Sequence, residues 1–417
     1  MTASSKNINL ILETLIKFFP ILIILGPLAL NCFSLIFSIY AIFNLKSFKH
    51  LNTINFKTII FFFTFIIFLF PYSSLDFHTS LFKYLSYFRF ILMLLGIIIF
   101  LENHKLNKGI FSEIYRNFVL ILIVIIIDVL IEFYTGSNLF GFSTDYNGRI
   151  ASFTNDELII GYIFTFVSLF TLLFIYNKTN SITFFSITIF LFFISFIIGE
   201  RSNFLKLFSL IILFYGIHSF YLKKIKIKKI LAISTIIISV MISFFIFSKD
   251  TTQSRKFFNT FKNVIVVSDK KIDFRIRDEF FETRHAAHYI TAYKIFLNHP
   301  ISGIGIDSFY LESKKKEYKI EGYLSQSTHP HQIYLEILSE VGLLGFLYFM
   351  FIFFYPINLF FKNINKQKNL NAISNFLLHI FFIFPILPSG SFFGTNYGIP
   401  FWFNLSIFLY LLKKKLS

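Results

Sequence analysis

Residues 182–221 read ITFFSITIFLFFISFIIGERSNFLKLFSLIILFYGIHSFY, and they decide the class of the chain. No charged side chain occurs from Ile182 to Gly199, and a second apolar run begins at Asn203. A helix needs about 20 largely apolar residues to cross the hydrocarbon core of a bilayer. The stretch therefore reads as two spans, 182–199 and 203–221, joined by a short charged turn.

Working outward, comparable runs fall at 10–29, 30–45, 56–72, 81–101, 112–134, 158–176, 230–248, 336–361, 371–388 and 399–413. The expected fold is all-α: a polytopic transmembrane protein of about 12 helices. Composition points the same way. The chain is 55% hydrophobic and only 15% charged, where soluble chains carry about 25% charge. Its 65 Phe are more than a soluble protein of this length hides in a core.

Lysine sets the expected orientation. Lys223, Lys224, Lys226, Lys228 and Lys229 crowd one loop, Lys362, Lys366 and Lys368 another, and Lys413, Lys414 and Lys415 the tail, whereas 73–80 and 389–398 have no Lys or Arg. The positive-inside bias then puts both termini in the cytoplasm of a bacterial inner membrane. It divides the chain into helices 1–9 (1–248), a large periplasmic loop with short helices (249–334), and helices 10–12 (335–417). The net charge of +17 is absorbed by the inner loops, so no nucleic acid partner is expected. Cys32 stands alone, which excludes an internal disulfide framework. No A-x-A site follows the first run, and its helix is expected to be retained.

The arginines break the lysine habit. Arg116 alone falls at an expected inner helix end, while Arg89, Arg149, Arg201, Arg255, Arg275, Arg277 and Arg284 all fall on the outer side. A guanidinium offers a planar fork suited to phosphate, which a lysine point charge does not. Arg201 closes an uncharged run, where charge is costly and tends to be functional. The plain alternative for Arg201 is a pair with Glu200.

Three segments carry candidate chemistry. The first, GRIASFTNDELIIGY (148–162), has Asn155 and Asp156 as helix caps. The second is GERSNF (199–204). The third holds RHAAHYITAYKIFLNHPISGIGIDSFY (284–310) and STHPHQIYLEILSEVGLLGF (327–346). Pro330 disfavours helix at its predecessor, so His329 and His331 are expected on an extended loop just before an apolar helix. His285, His288, His299, His329 and His331 leave a catalytic zinc site open as a rival. The GIGIDS run lacks the lysine and glycine spacing of a phosphate loop.

The third segment, with its Arg, amphipathic helix, His299-Pro300-x-x-Gly303-x-Gly305 turn and HPHQ-x-YLE run, resembles the O-antigen ligase and polymerase family of bacterial membrane glycosyltransferases. The GERS arginine fits that resemblance, which covers roughly residues 140–350. Gln332 departs from the family's commoner Asn but keeps an amide. The resemblance implies a metal-independent, cofactor-free transfer of glycan from an undecaprenyl-diphosphate carrier. The acceptor is lipid A–core for a ligase and another lipid-linked glycan for a polymerase. It implies Arg201 and Arg284 as diphosphate ligands and His331 as the base. Arg149 and His329 complete the expected substrate-binding set. A transporter of lipid-linked sugars is the remaining rival, but transporters place polar groups at the midplane, and here the helix centres are Ile, Leu and Phe.

Overall fold

Leu120, Ile123, Val124 and Ile127 recur along one helix face and are all exposed, while Asp128 and Glu132 of the same helix are buried. Apolar outside and polar inside reverses the soluble pattern, and it is what lipid selects when it acts as the solvent. The computed structural model that shows this describes residues 3–44, 77–103, 108–143, 148–157, 159–220, 266–268, 271–273, 283–320, 326–367 and 370–413.

The helices are α1 (Ala3–Lys17), α2 (Phe19–Ile24), α3 (Pro27–Phe43), α4 (Phe77–Asn103), α5 (Lys108–Thr135), α6 (Ile160–Lys178), α7 (Ser181–Ile198), α8 (Arg201–Phe220), α9 (Arg284–Asn298), α10 (Phe309–Glu312), α11 (Ile333–Gln367), α12 (Leu370–Phe382) and α13 (Thr395–Lys413). One antiparallel hairpin, Val266–Ser268 with Lys271–Asp273, is the extended structure among the described residues. In α4, α5, α6, α7, α8 and α11 the apolar stretch is long enough to cross a membrane, and α3 and α12 are shorter apolar helices. The protein is thus a polytopic helical membrane protein. The expected spans at 56–72 and 230–248, with Arg255, Arg275 and Arg277, lie outside the described residues.

Two of the expected boundaries are corrected. The run 10–29 is not one helix, because the chain breaks after Lys17 and again at Gly26, where φ is +88°. Lys17 is tied to Glu13 one turn back and to Glu113 of α5, each at 2.5 Å. Pro27 then starts α3 at its first turn, where its missing N–H costs nothing. The run 371–388 is helical only to Phe382.

Backbone contacts divide the chain into two compact units. The first comprises Met1–Ile24, Asn107–Arg277 and Asn363–Phe381. Within it α6 packs on α5, α7 and α8, and Phe118 stacks on Phe170 with ring centres 4.0 Å apart. The second comprises Leu25–Leu106, Asp278–Lys362 and Phe382–Ser417. Within it α3 and α13 pack on α4, and the Trp402 indole donates to the Tyr87 hydroxyl at 3.0 Å.

Candidate active site

In the second unit the site is built on a broken helix. Gly342 interrupts α11 at φ +65°, ψ −169°, a conformation open essentially to glycine alone. A side chain there would also strike the carbonyl of Ile301. The break frees backbone groups, and the turn 299–305 takes them up. Ile304 N donates to Ser339 O at 3.1 Å and Gly305 N to Glu340 O at 2.8 Å. In return Leu343 N donates to Pro300 O at 2.8 Å and Leu344 N to Ile301 O at 3.3 Å. Four groups around the kink, Ser339 O, Glu340 O, Leu343 N and Leu344 N, are thereby matched, as a low-dielectric setting demands.

Glu340, itself buried, adds two bonds. It accepts from Asp307 N at 2.6 Å and Phe309 N at 3.1 Å. Ile304 and Phe309 then complete a small core with Ala292, Ile295 and Tyr318, capped by Leu335. That core fixes α9, whose first turn Thr283 caps by accepting from Ala286 N at 3.2 Å.

This scaffold gathers four imidazoles. The His331 ring centre lies 4.0 Å from that of His329, 5.3 Å from His288 and 5.4 Å from His285. His331 does not sit in the expected extended conformation. Its φ is +58°, in the left-handed region, which is uncommon for any residue but glycine. Its carbonyl accepts from Ser389 N at 2.9 Å, and its Nε2 is 3.2 Å from Ser327 Oγ. Thr328 Oγ1 lies 3.0 Å from His329 Nδ1. Five residues on, Glu336 accepts from Phe392 N at 2.8 Å and from the Ser391 hydroxyl, so the 383–394 segment braces the histidine from behind.

Burial holds both imidazoles neutral. It pushes His331 down to about 2, with His329, His285 and His288 adding to the effect, and His329 down to about 4. Arg284 is exposed at the first residue of α9, adjoining His285. Among the described residues no set of His, Cys, Asp or Glu is arranged to hold a metal ion.

The first unit holds the other expected residues. Ile150 N donates to Ile198 O at 3.2 Å, and Gly199, at φ +82°, leaves room for the carbonyl of Gly148. That backbone approach sets Arg149 beside Glu200-Arg201, and both arginines are exposed residues. Glu200 is buried and accepts from Gly161 N at 2.9 Å and from the Asn203 amide. Burial pushes its carboxyl up, against the field of Arg149. Lys206 is buried 5.5 Å from the ring centre of Phe381. The two arginines outnumber the one carboxylate, so this cluster is net positive. Arg149 and Arg201 thus belong to the first unit, and Arg284, His329 and His331 to the second.

Residues 163–350 match the family model described as O-antigen ligase. Over that span the chain is similar to the O-antigen ligase family. The matched O-antigen ligase segment contains Arg201, Arg284, His329 and His331, while Arg149 precedes it. That similarity supports a glycosyltransferase activity of the O-antigen ligase or polymerase type. No curated protein matches the chain. The sequence motifs by themselves assign no role to Glu336, Glu340, Asn203, Lys206, Ser327 or Ser391. A legible signal existed for the first two: carboxylates four residues apart in an apolar helix are costly unless they are used.

Proposed function

We propose that the protein transfers a polysaccharide from undecaprenyl diphosphate to a sugar hydroxyl of lipid A–core, at the periplasmic face of the bacterial inner membrane. In this reading the acceptor oxygen attacks the anomeric carbon, a C–O bond forms, and the bond to the phosphate oxygen breaks. The hydroxyl proton passes to His331, and the lipid diphosphate leaves with its charge matched by arginine. Arg149, Arg201 and Arg284 bind that diphosphate, and His329 orients the base. In the tautomer whose Nε2–H donates to Ser327 Oγ, Nδ1 of His331 carries the lone pair that accepts the proton.

One observation carries the reading: a neutral imidazole on a strained backbone, in the family-matched segment, with one ring nitrogen already partnered. Side chains held in sparsely populated backbone regions cluster at functional sites. A neutral ring is also the form a general base requires.

The test is transfer by the purified full chain with a synthetic undecaprenyl-diphosphate glycan and lipid A–core. His331→Ala should keep donor binding and lose about 10²–10⁴-fold in rate. Full activity in that variant would remove the base. Chelator should leave the rate unchanged, and zinc-restored activity after chelation would make the histidines ligands instead. In a deletion strain, glycan lost from lipid A but retained as long chains on carrier lipid means ligase, whereas single repeats mean polymerase.

A further inference from the structure

Helix α5 ends in two buried carboxylates one turn apart, Asp128 and Glu132. Carboxylates in an apolar helix are expensive unless their oxygens are occupied. No ion pair to either is present among the described residues. Their oxygens are instead spent on the segment that follows. Asp128 accepts from Leu139 N at 2.8 Å and from the Ser152 hydroxyl. Glu132 accepts from Ala151 N at 3.0 Å and Ser152 N at 2.6 Å. Asn138 closes the ring by donating to Ser152 O at 2.7 Å while its own carbonyl takes Phe140 N and Phe142 N, each at 2.9 Å. Ser152 is held at φ +48°, a left-handed conformation the surrounding bonds must impose.

One helical turn thus grips both ends of the 139–152 segment. Arg149, exposed, lies two residues before Ala151 and one before Ile150, whose N–H is fixed to Ile198 O. We propose that Asp128 and Glu132 are positioning residues for Arg149: they pin the segment so that its guanidinium is presented, already ordered, to the diphosphate. This rests on the reading of Arg149 as a diphosphate contact. Both carboxylates precede the family-matched span. Charge-assisted bonds suit the task, because a carboxylate holds backbone N–H groups about twice as strongly as a neutral acceptor does.

The experiment uses the full-length protein with farnesyl diphosphate as the probe and reads two quantities. The first is hydrogen exchange at Ala151 and Ser152. Glu132→Gln should speed it at least about ten-fold, with the amides of α6 and α7 unchanged. Unchanged exchange at 151–152 overturns the proposal whatever the ligand does. The second is binding in a double-mutant cycle. Glu132→Gln should weaken the probe about ten-fold in the wild-type background and not at all in Arg149→Ala, since no guanidinium is left to place. An equal loss in both backgrounds means the carboxylates serve only the fold and overturns the idea. Faster exchange with normal binding by Arg149→Ala sinks the diphosphate reading of Arg149 but leaves the pinning intact. If Glu132→Gln does not fold, Ser152→Ala removes the single hydroxyl bond to Asp128 and should show the same pattern in smaller measure.

Discussion

At the scale of single residues, His331 joins an unusual backbone to an unusual ring. Its imidazole is driven down to about 2 by burial and by three neighbouring imidazoles. The transfer rate should therefore stay level from pH 8 to pH 5, since the neutral ring that accepts a proton persists throughout. A half-drop near 6.5, the ordinary imidazole value, would show that the ring is not in this environment. Stability follows the opposite limb. Below pH 6.5 the unfolded chain binds protons that the folded histidines refuse, so stability is full above 6.5 and falls as pH falls. The loss is up to about 1.4 kcal/mol per pH unit per histidine. The melting temperature should drop between pH 6.5 and 5, and less steeply in His329→Gln/His331→Asn, where Asn tolerates the left-handed backbone. Arg201→Lys and Arg284→Lys should be nearly as harmful as Arg→Ala, costing about 2–4 kcal/mol, because charge survives but the fork does not. Wild-type rates in both Lys variants would remove the clamp. The lowering of His331 was not legible in the sequence, because the contact between His285 and His331 joins two distant stretches that no short window reads.

At the scale of elements, the apolar runs were legible because composition over about 20 residues outweighs any single side chain. The exceptions have local causes. The first run breaks just before Pro20, which has no N–H to donate to the preceding turn and whose ring crowds it. Asn155 and Asp156 do not cap α6; they lie in a 3-10 turn, Ser152–Glu157, and the helix starts behind Ile159 without a side-chain cap. The kink in α11 was harder to see, since Gly342 and Gly345 both fit ordinary helix packing. Gly342→Ala must leave the φ +65° state and collide with the Ile301 carbonyl, so it should cost about 3 kcal/mol or more. The expected result is a lowered melting temperature together with lost transfer. A variant as stable as wild type would mean the kink is dispensable.

At the scale of the whole molecule, the proposed orientation rests on lysine placement. Proposed topology puts Lys226 inside and Tyr293 outside, and Tyr293 is exposed on α9. Cys32 is exposed and must first be replaced. In that Cys32→Ser background, an impermeant thiol reagent applied to intact cells with a permeabilised outer membrane should label Tyr293→Cys and spare Lys226→Cys. The reverse pattern would invert the topology and remove a periplasmic site. The two compact units were not legible at all, because each is assembled from three separated stretches and hydropathy reports only neighbours in sequence.

The exchange of backbone bonds between 300–305 and 339–344 also has a consequence for biogenesis. When a nascent chain has reached only residue 310, the amides of Ile304 and Gly305 and the carbonyls of Pro300 and Ile301 have no partners. Roughly two to seven seconds of synthesis, at 5–20 residues per second, separate that moment from the arrival of Leu344. During that interval the turn lacks the backbone bonds that hold it, and they can form only once residues 339–344 have been made.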